Sequence, residues 1–317
     1  MLNYAIIVGG TGQLGRTLSK ELLKNKYKII ITTRNLTKGK KIFENNKSIK
    51  LEQLNVLKKD RVKNLILKYK PKIIFYFAGQ SLPKLSFSKQ NLTYQSNFVG
   101  CKNFLDALVK TKHICKFVNS ASSEIYGNSL KKVGLKTMKK PLNPYGHAKL
   151  RSFQFTKKYR DKYKMNNYNA IIFNTESEIR EKNFLIPKIC IAALNAKKYG
   201  YITKFGNLQI SREWNWCKDQ CFYLLKFVRK KPQDFILSNG KSFSIKQMLN
   251  FAFSYFNLDY RNYITAKKNK LSKYEIKTKR SDYIRCLQRN NLKRKNKIFG
   301  KMLITKMVKY YLNEKRI

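Results

Sequence analysis

The stretch Tyr4-Ala5-Ile6-Ile7-Val8-Gly9-Gly10-Thr11-Gly12-Gln13-Leu14-Gly15 sets the architecture of this chain. An apolar run, a glycine-rich turn and an amphipathic segment with Leu14, Leu18, Leu22 and Leu23 on one side read as strand, turn and helix. Gly9 and Gly12 allow a tight turn and the close approach of a pyrophosphate. Gly15 permits close packing of helix on strand, and the helix N-terminus faces the phosphates.

The next apolar run, 28–31, ends in Thr32-Thr33-Arg34. Enzymes that use NAD place a carboxylate here for the ribose hydroxyls, but the first acid after this run is Glu44. Arg34 would instead pair with a 2′-phosphate, so NADP is the expected cofactor. Residues 49–54 and 72–77 read as the third and fourth strands. Ala78-Gly79-Gln80-Ser81 follows, small enough for backbone to lie against a cofactor. A helix is expected over 98–109, a strand at 117–119, a long helix from Pro144 to about Lys164 and a strand at 170–173. Strands alternating with helices predict an α/β fold with a Rossmann-type, doubly wound parallel sheet.

Beyond residue 175 the pattern is less regular. Helices are expected over 183–197 and from about 218 to 229, a turn at 204–207, and a strand at 234–237 that returns to the main sheet. The segment 243–256 is amphipathic, and the end from Leu287 is basic, read as a loop and a helix. The expected division is a nucleotide-binding domain over 1–174, with the strand near 234–238, and a smaller substrate-binding lobe over 175–317.

Chemistry concentrates between residues 117 and 149. Phe117-Val118-Asn119-Ser120-Ala121-Ser122-Ser123-Glu124-Ile125-Tyr126-Gly127 is followed by a polar loop and by Pro144-Tyr145-Gly146-His147-Ala148-Lys149. Tyr145 and Lys149 are spaced i and i+4, one helical turn apart on one face. A phenol with an ordinary pKa of about 10 is a poor base at neutral pH, and a nearby ammonium favours the phenolate. Tyr145 is thus a group for exchanging a proton with an alcohol or ketone, with Ser122 bonded to the same oxygen and Glu124 as a separate acid–base group. Hydride transfer itself needs a cofactor.

Composition narrows the class. The chain has 317 residues, 43% of them hydrophobic, enough to bury a large core. Its 69 Lys and Arg against 17 Asp and Glu give a net charge of +52, a field that attracts phosphorylated ligands, nucleic acid or acidic membranes. The lysines are spread along the whole chain and no nucleic-acid-binding motif accompanies them, so compositional bias is the preferred explanation over nucleic-acid binding. The six cysteines show no metal-ligand spacing and only two histidines exist, which points to free buried thiols and no metal site. The N-terminus reads as a strand and not a signal peptide, and no apolar run approaches the roughly 18 residues of a membrane span. A cytoplasmic location is expected.

Together these motifs resemble the extended short-chain dehydrogenase/reductases, and within them the GDP-mannose 4,6-dehydratase family, from Tyr4 to about Arg280. The glycine turn and Tyr-x-x-x-Lys are common to the superfamily. More specific are Ser122-Ser123-Glu124-Ile125-Tyr126-Gly127, Phe173-Asn174-Thr175-Glu176-Ser177, Phe205-Gly206-Asn207-Leu208, Arg212-Glu213-Trp214 and Pro232-Gln233-Asp234-Phe235. Glu124 separates dehydratases from epimerases and reductases, which usually lack a carboxylate there.

The resemblance implies that Tyr145, with Lys149 and Ser122, takes the proton of a sugar 4-hydroxyl as hydride passes to NADP. Glu124 would then remove the C5 proton as the 6-hydroxyl leaves as water, and hydride would return to C6. It implies a cofactor lined by Gly9, Thr11, Gly12, Gln13, Leu14 and Gly15, by Arg34, Asn55 and Val56, and by Phe77, Ala78, Gly79, Gln80 and Ser81. Tyr145, Lys149, Asn174 and Arg180 would complete that lining. Ser81, Ser122, Glu124, Asn174, Lys188, Arg212 and Arg280 would contact a nucleotide sugar, GDP-mannose above others, in a homodimer or homotetramer. Guanidinium forks suit its pyrophosphate.

Five positions depart from the family. Ser122 stands for threonine, Asn55 for an aspartate at the adenine, Thr175 for a histidine, and Glu178-Ile179 for a Pro-Arg pair of the tetramer. A related nucleotide sugar such as a heptose fits these departures. The alternative activity is a nucleotide-sugar 4-epimerase or 4-ketoreductase, and a non-enzymatic basic binding protein on the same fold is the third possibility.

Overall fold

The computed structural model describes residues 3–44, 46–129, 131–266 and 279–314. Strand β1 (Tyr4–Val8) buries Ala5, Ile6, Ile7 and Val8 completely, as a strand covered on both faces must. It lies inside a seven-stranded sheet with β2 (Lys28–Thr33), β3 (Ile49–Gln53), β4 (Ile73–Tyr76), β5 (Lys116–Ser122), β6 (Asn167–Ile172) and the strand Asp234–Leu237. The order is Asp234–Leu237, β6, β5, β4, β1, β2, β3, and every pairing is parallel. Chain order reverses between β1 and β4. In open parallel sheets the crevice at the carboxyl ends of such strands is where ligands bind.

The helices bury one face each. Gln13–Lys24 turns Gly15, Leu18, Ser19 and Leu22 inward, and Lys59–Tyr69 buries Val62, Leu65, Ile66 and Tyr69, both at the 3–4 residue spacing of a one-sided helix. The second of these helices packs with Phe104 and Leu108 against Ile6, Ile30, Ile74 and Phe117 of the sheet. Each such side chain contributes roughly 1.5–3 kcal/mol on burial.

The helix expected over 98–109 begins earlier and is not uniform. A turn of helix at Gln90–Tyr94 leads into a π-helical segment, Gln95–Val99, before Gly100–Lys110. Within that widened turn the Ser96 carbonyl accepts the Tyr76 hydroxyl at 2.6 Å, and Asn97 Nδ2 donates to the carbonyls of Gln80 and Thr93 at 3.0 Å. These contacts come from the end of β4 and the loop after it, where a local departure from α geometry serves a neighbour.

The chain divides into two compact units. One holds Met1–Gly127, Thr137–Ile172 and Cys221–Leu237, including the sheet. The other holds Asn128–Lys136, Phe173–Gln220 and Ser238–Ile317. Helices Leu185–Tyr199, Ile245–Ser254 and Gly300–Glu314 give this second unit its core, with Ile189, Ala193, Leu249, Phe253, Ile304 and Met307 buried around Trp214 and Trp216. A capping box starts Ile245–Ser254: Ser244 accepts from the Gln247 amide, and the Gln247 side chain accepts from the Ser244 amide.

Short strands complete the second unit. Thr175–Glu176 pairs with Asn215–Trp216, Ser211–Arg212 with Phe243–Ser244, and Thr203–Phe205 with Ile264–Ala266. The turn expected at 204–207 is corrected by the last pair. Lys204 and Phe205 are strand because Thr265 and Ala266 lie beside them, a partner too distant in sequence for local pattern to reveal. No helix of the described residues is long and apolar enough to cross a membrane.

Candidate active site

β5 ends at Ser122, whose hydroxyl oxygen accepts the Glu124 amide at 3.2 Å and caps the short 3-10 turn Ser123–Tyr126. Ser122 is thereby fixed as an acceptor for the turn, and its O–H remains to donate. Glu124 is carried two residues past the strand end and is partly exposed.

The helix Pro144–Tyr163 starts at Asn143, whose Oδ1 accepts the Gly146 amide at 2.8 Å, with Pro144 at the first helical position. The same side chain donates through Nδ2 to Glu124 Oε2 at 2.9 Å. One amide therefore starts the helix that carries Tyr145 and Lys149 and also holds the Glu124 carboxylate. Gly146 makes room for this arrangement. A Cβ there would stand 2.8 Å from the Glu124 carbonyl oxygen.

Tyr145 and Lys149 are both buried, at 9% and 5% exposure, so the pair is shielded from solvent screening. Lys149 Nζ lies 5.8 Å from the centre of the Tyr145 ring. It donates to the Ser120 carbonyl at 2.7 Å and to Ser120 Oγ at 3.2 Å. Burial pushes the Lys149 ammonium down to about 8. Glu124 is thus joined through Asn143 to the start of the helix that carries Tyr145, and Lys149 through Ser120 to β5, which ends at Ser122.

Asn143 and Ser120 were not among the residues read from the sequence. The Asn-Pro pair before the helix is a recognisable cap signal, but its second bond to Glu124 is a tertiary contact. Ser120 carries no local signal at all.

The glycine turn lies where the sheet order reverses. The amides of Gly9 and Gly10 donate to the Thr32 carbonyl at 3.1 and 3.3 Å, and the Phe77 amide donates to the Val8 carbonyl at 2.9 Å. Gly9 has φ of +74°, and a Cβ on it would fall 2.7 Å from Ala78 Cα. On Gly15 a Cβ would fall 2.4 Å from Gly10 Cα. These approaches bring Gly9, Thr11, Gly12, Gln13, Leu14 and Gly15 together with the segment holding Phe77, Ala78, Gly79, Gln80 and Ser81. Gly12 caps the helix without a side chain, and no acidic residue occupies the first turn. A side-chain-free helix N-terminus with a positive dipole end suits an anionic diphosphate, so the residues present fit a dinucleotide.

Other cofactor candidates sit in loops after the strands. Arg34 is exposed just beyond β2, its carbonyl accepting Gln53 Nε2 at 3.2 Å. Asn55 Oδ1 accepts the Leu57 amide at 3.0 Å, and the Val56 carbonyl accepts Asn103 Nδ2 at 3.0 Å. Gln80 turns its amide into its own loop, donating to the Leu82 carbonyl at 2.8 Å and accepting the Leu82 amide.

The remaining candidates belong to the second unit. The Asn174 carbonyl accepts the Asn215 amide and Nδ2 at 2.9 and 2.8 Å. Arg180 stacks 3.3 Å over the Phe184 ring. Near it, burial pushes the Glu176 carboxyl up to about 7, with the Arg180 charge opposing. Lys188 Nζ donates to the Lys204 carbonyl at 2.7 Å and lies 4.4 Å from the Phe205 ring centre. The strand of Arg212 and the segment of Arg280 are adjacent, with the Lys279 amide on the Ser211 carbonyl at 3.3 Å.

Among the described residues no group of three or more His, Cys, Asp or Glu gathers as a metal site. All six cysteines are free and buried, and burial pushes Cys101 and Cys115 up to about 12, which makes them unreactive.

The family model described as GDP-mannose 4,6 dehydratase matches residues 6–298. The chain belongs to the GDP-mannose 4,6-dehydratase family. The chain is 30% identical to GDP-mannose 4,6 dehydratase of Drosophila melanogaster over 79% of this chain and 67% of that one. It is 30% identical to the Homo sapiens protein of the same name over 79% and 72%. Among solved structures, the fold is similar to dTDP-glucose 4,6-dehydratase of Streptomyces venezuelae, with TM-score 0.85 and 15% identity over 99% of this chain and 98% of that one. It is equally similar to UDP-glucose 4-epimerase of Thermotoga maritima, with TM-score 0.85 and 16% identity over 98% and 99%. At such identities these two structures establish the Rossmann-type fold, which dehydratases and epimerases share. Membership of the dehydratase family rests on the sequence relatives.

Proposed function

We propose that this chain is a nucleotide-sugar 4,6-dehydratase, a hydro-lyase that converts GDP-mannose to its 4-keto-6-deoxy product with NADP as resident cofactor. The observation that carries this reading is the Glu124 carboxylate, held by Asn143 on the same helix cap that positions Tyr145 and Lys149. An epimerase or ketoreductase needs the phenol and the ammonium; elimination also needs a base for C5, and Glu124 is that base.

The glycine turn would hold the diphosphate of NADP and the Phe77–Ser81 segment its nicotinamide half. Arg34 would take the 2′-phosphate, which the absence of an acid before Glu44 supports. A bound nicotinamide supplies the hydride acceptor and donor that no side chain provides. Tyr145 takes the proton of the sugar 4-hydroxyl at its phenolic oxygen. Lys149, largely charged at neutral pH, favours the phenolate, and the Ser122 O–H holds the same sugar oxygen. Oxidation at C4 acidifies the C5 proton. Glu124 accepts that proton and delivers one to the departing 6-hydroxyl, which leaves as water; return of the hydride to C6 and of a proton to C5 completes the 4-keto-6-deoxy product.

Incubation with GDP-mannose followed by mass spectrometry tests the assignment. Loss of one water per sugar nucleotide supports it, whereas an isobaric product or net consumption of NADPH would assign the chain to the epimerases or reductases instead. A mass spectrum of the cofactor released on denaturation distinguishes NADP from NAD.

A further inference from the structure

Glu213 is almost fully buried, at 1% exposure, and both of its carboxylate oxygens are used. Oε1 accepts the Ser281 amide at 2.6 Å. Oε2 accepts Ser281 Oγ at 2.6 Å, the Gly240 amide at 3.0 Å and the Ser238 hydroxyl. The donors come from segments far apart in sequence, so one side chain fastens three pieces of backbone. Two of the three neighbour a residue of interest: Arg212 precedes Glu213 and Arg280 precedes Ser281. Two further bonds reinforce the join: the Lys279 amide donates to the Ser211 carbonyl at 3.3 Å, and the Asn239 side chain donates through Nδ2 to the Trp214 carbonyl at 2.7 Å. Val133 N bonds the Arg280 carbonyl and Asp282 N bonds the Val133 carbonyl, both at 2.9 Å, fixing Arg280 from its other side.

We infer that Glu213 is a positioning residue that sets the separation of the Arg212 and Arg280 guanidinium groups, so that the pair selects the diphosphate of a nucleoside diphosphate over a monophosphate. This rests on the proposed nucleotide-sugar substrate. A buried carboxylate facing four donors is demanding, because a backbone N–H cannot turn round and accept. Each oxygen of Glu213 has one such N–H, from Ser281 or from Gly240. The isosteric amide of Glu213→Gln must therefore set an NH₂ group against a backbone donor whichever way it is turned. One of the two joins opens, and with it the spacing of the arginines.

The test is calorimetric binding of GDP and of GMP to the cofactor-loaded protein, wild type and Glu213→Gln. Wild type is expected to prefer GDP, and the variant to lose GDP affinity by about tenfold or more while GMP affinity changes by less than about threefold. Ser238→Ala, which removes one hydroxyl donor and no backbone contact, is expected to move the GDP/GMP ratio in the same direction by a smaller factor and keeps the test alive if the first variant folds poorly. Turnover should show a raised KM with kcat little changed. An unchanged ratio in both variants, or an equal loss of GDP, GMP and cofactor binding in both, would overturn the positioning role and leave the dehydratase assignment standing. Failure of wild type to bind GDP at all would instead overturn the proposed substrate, and this inference with it.

Discussion

Two buried ionisable groups show how differently the two units treat charge. Lys149, on the helix beside β5, gives its ammonium two oxygen acceptors, both from Ser120, and its pKa settles near 8. Glu176, beyond the end of β6, leaves Oε2 buried without a hydrogen-bond partner, and its pKa rises to about 7. Burial disfavours the charged form in both places, but only the first supplies hydrogen bonds that hold it. A charge kept against desolvation costs stability and needs a use, which the phenol next to Lys149 provides. A carboxyl with no such support shifts toward its neutral form.

Removal of Lys149 is expected to separate function from stability most sharply. Lys149→Met should lower turnover by about 10³-fold, within the range for lost acid–base assistance, while the melting temperature stays level or rises. Steady-state kinetics beside calorimetry checks both halves, and a fall in melting temperature would show that the ammonium is structural. The linkage has a definite sign. The folded pKa is lowered from 10.5 to about 8, so the unfolded chain binds more protons between those values. Stability associated with this lysine is present above about 10.5 and lost as pH falls through about 8, and Lys149→Met should erase that slope. For the same reason wild-type turnover is expected to fall as pH rises through about 8 and the ammonium discharges, a limb visible in a pH–rate profile.

Asn143→Ala tests the corner from its other side. It removes the helix cap and the partner of Glu124 together, so about 1 kcal/mol of stability and roughly tenfold to hundredfold in kcat should go. Loss of stability with unchanged kcat would mean that Glu124 is held adequately by other contacts.

Glu176→Gln, which is expected to leave turnover untouched, completes the contrast. The folded carboxyl is raised from 4.5 to about 7, so its favourable contribution is full below pH 4.5 and is lost as pH rises through about 7. The variant should be more stable than wild type above neutrality, by at most about 3 kcal/mol, with a flatter pH–stability curve and unaltered turnover. An equal stability difference between variant and wild type at pH 5 and pH 8 would show that Glu176 does not titrate between them.

What the sequence discloses follows the same division. β1, β2 and β4 are short apolar runs next to a turn or helix signal and so are legible locally, as is the placement of Tyr145 and Lys149 on one face of a helix. The π-helical turn at Gln95–Val99 is not, because the Tyr76 hydroxyl that donates to the Ser96 carbonyl belongs to β4. In the second unit, elements exist through partners dozens of residues away, as Lys204 does beside Thr265. Site residues divide likewise. Ser122 and Glu124 are readable from their motif and Asn143 from its cap, but the bond from Asn143 to Glu124 and the donors around Glu213 depend on chain segments that only the fold brings together.

The central claim is that Glu124 removes the C5 proton, and turnover of GDP-mannose in heavy water tests it most directly. Wild-type protein is expected to lose one water from each sugar and to return one solvent deuteron to C5. Glu124→Gln should do neither at better than about a hundredth of the wild-type rate. Dehydrated, deuterated product formed by Glu124→Gln at the wild-type rate would contradict the account.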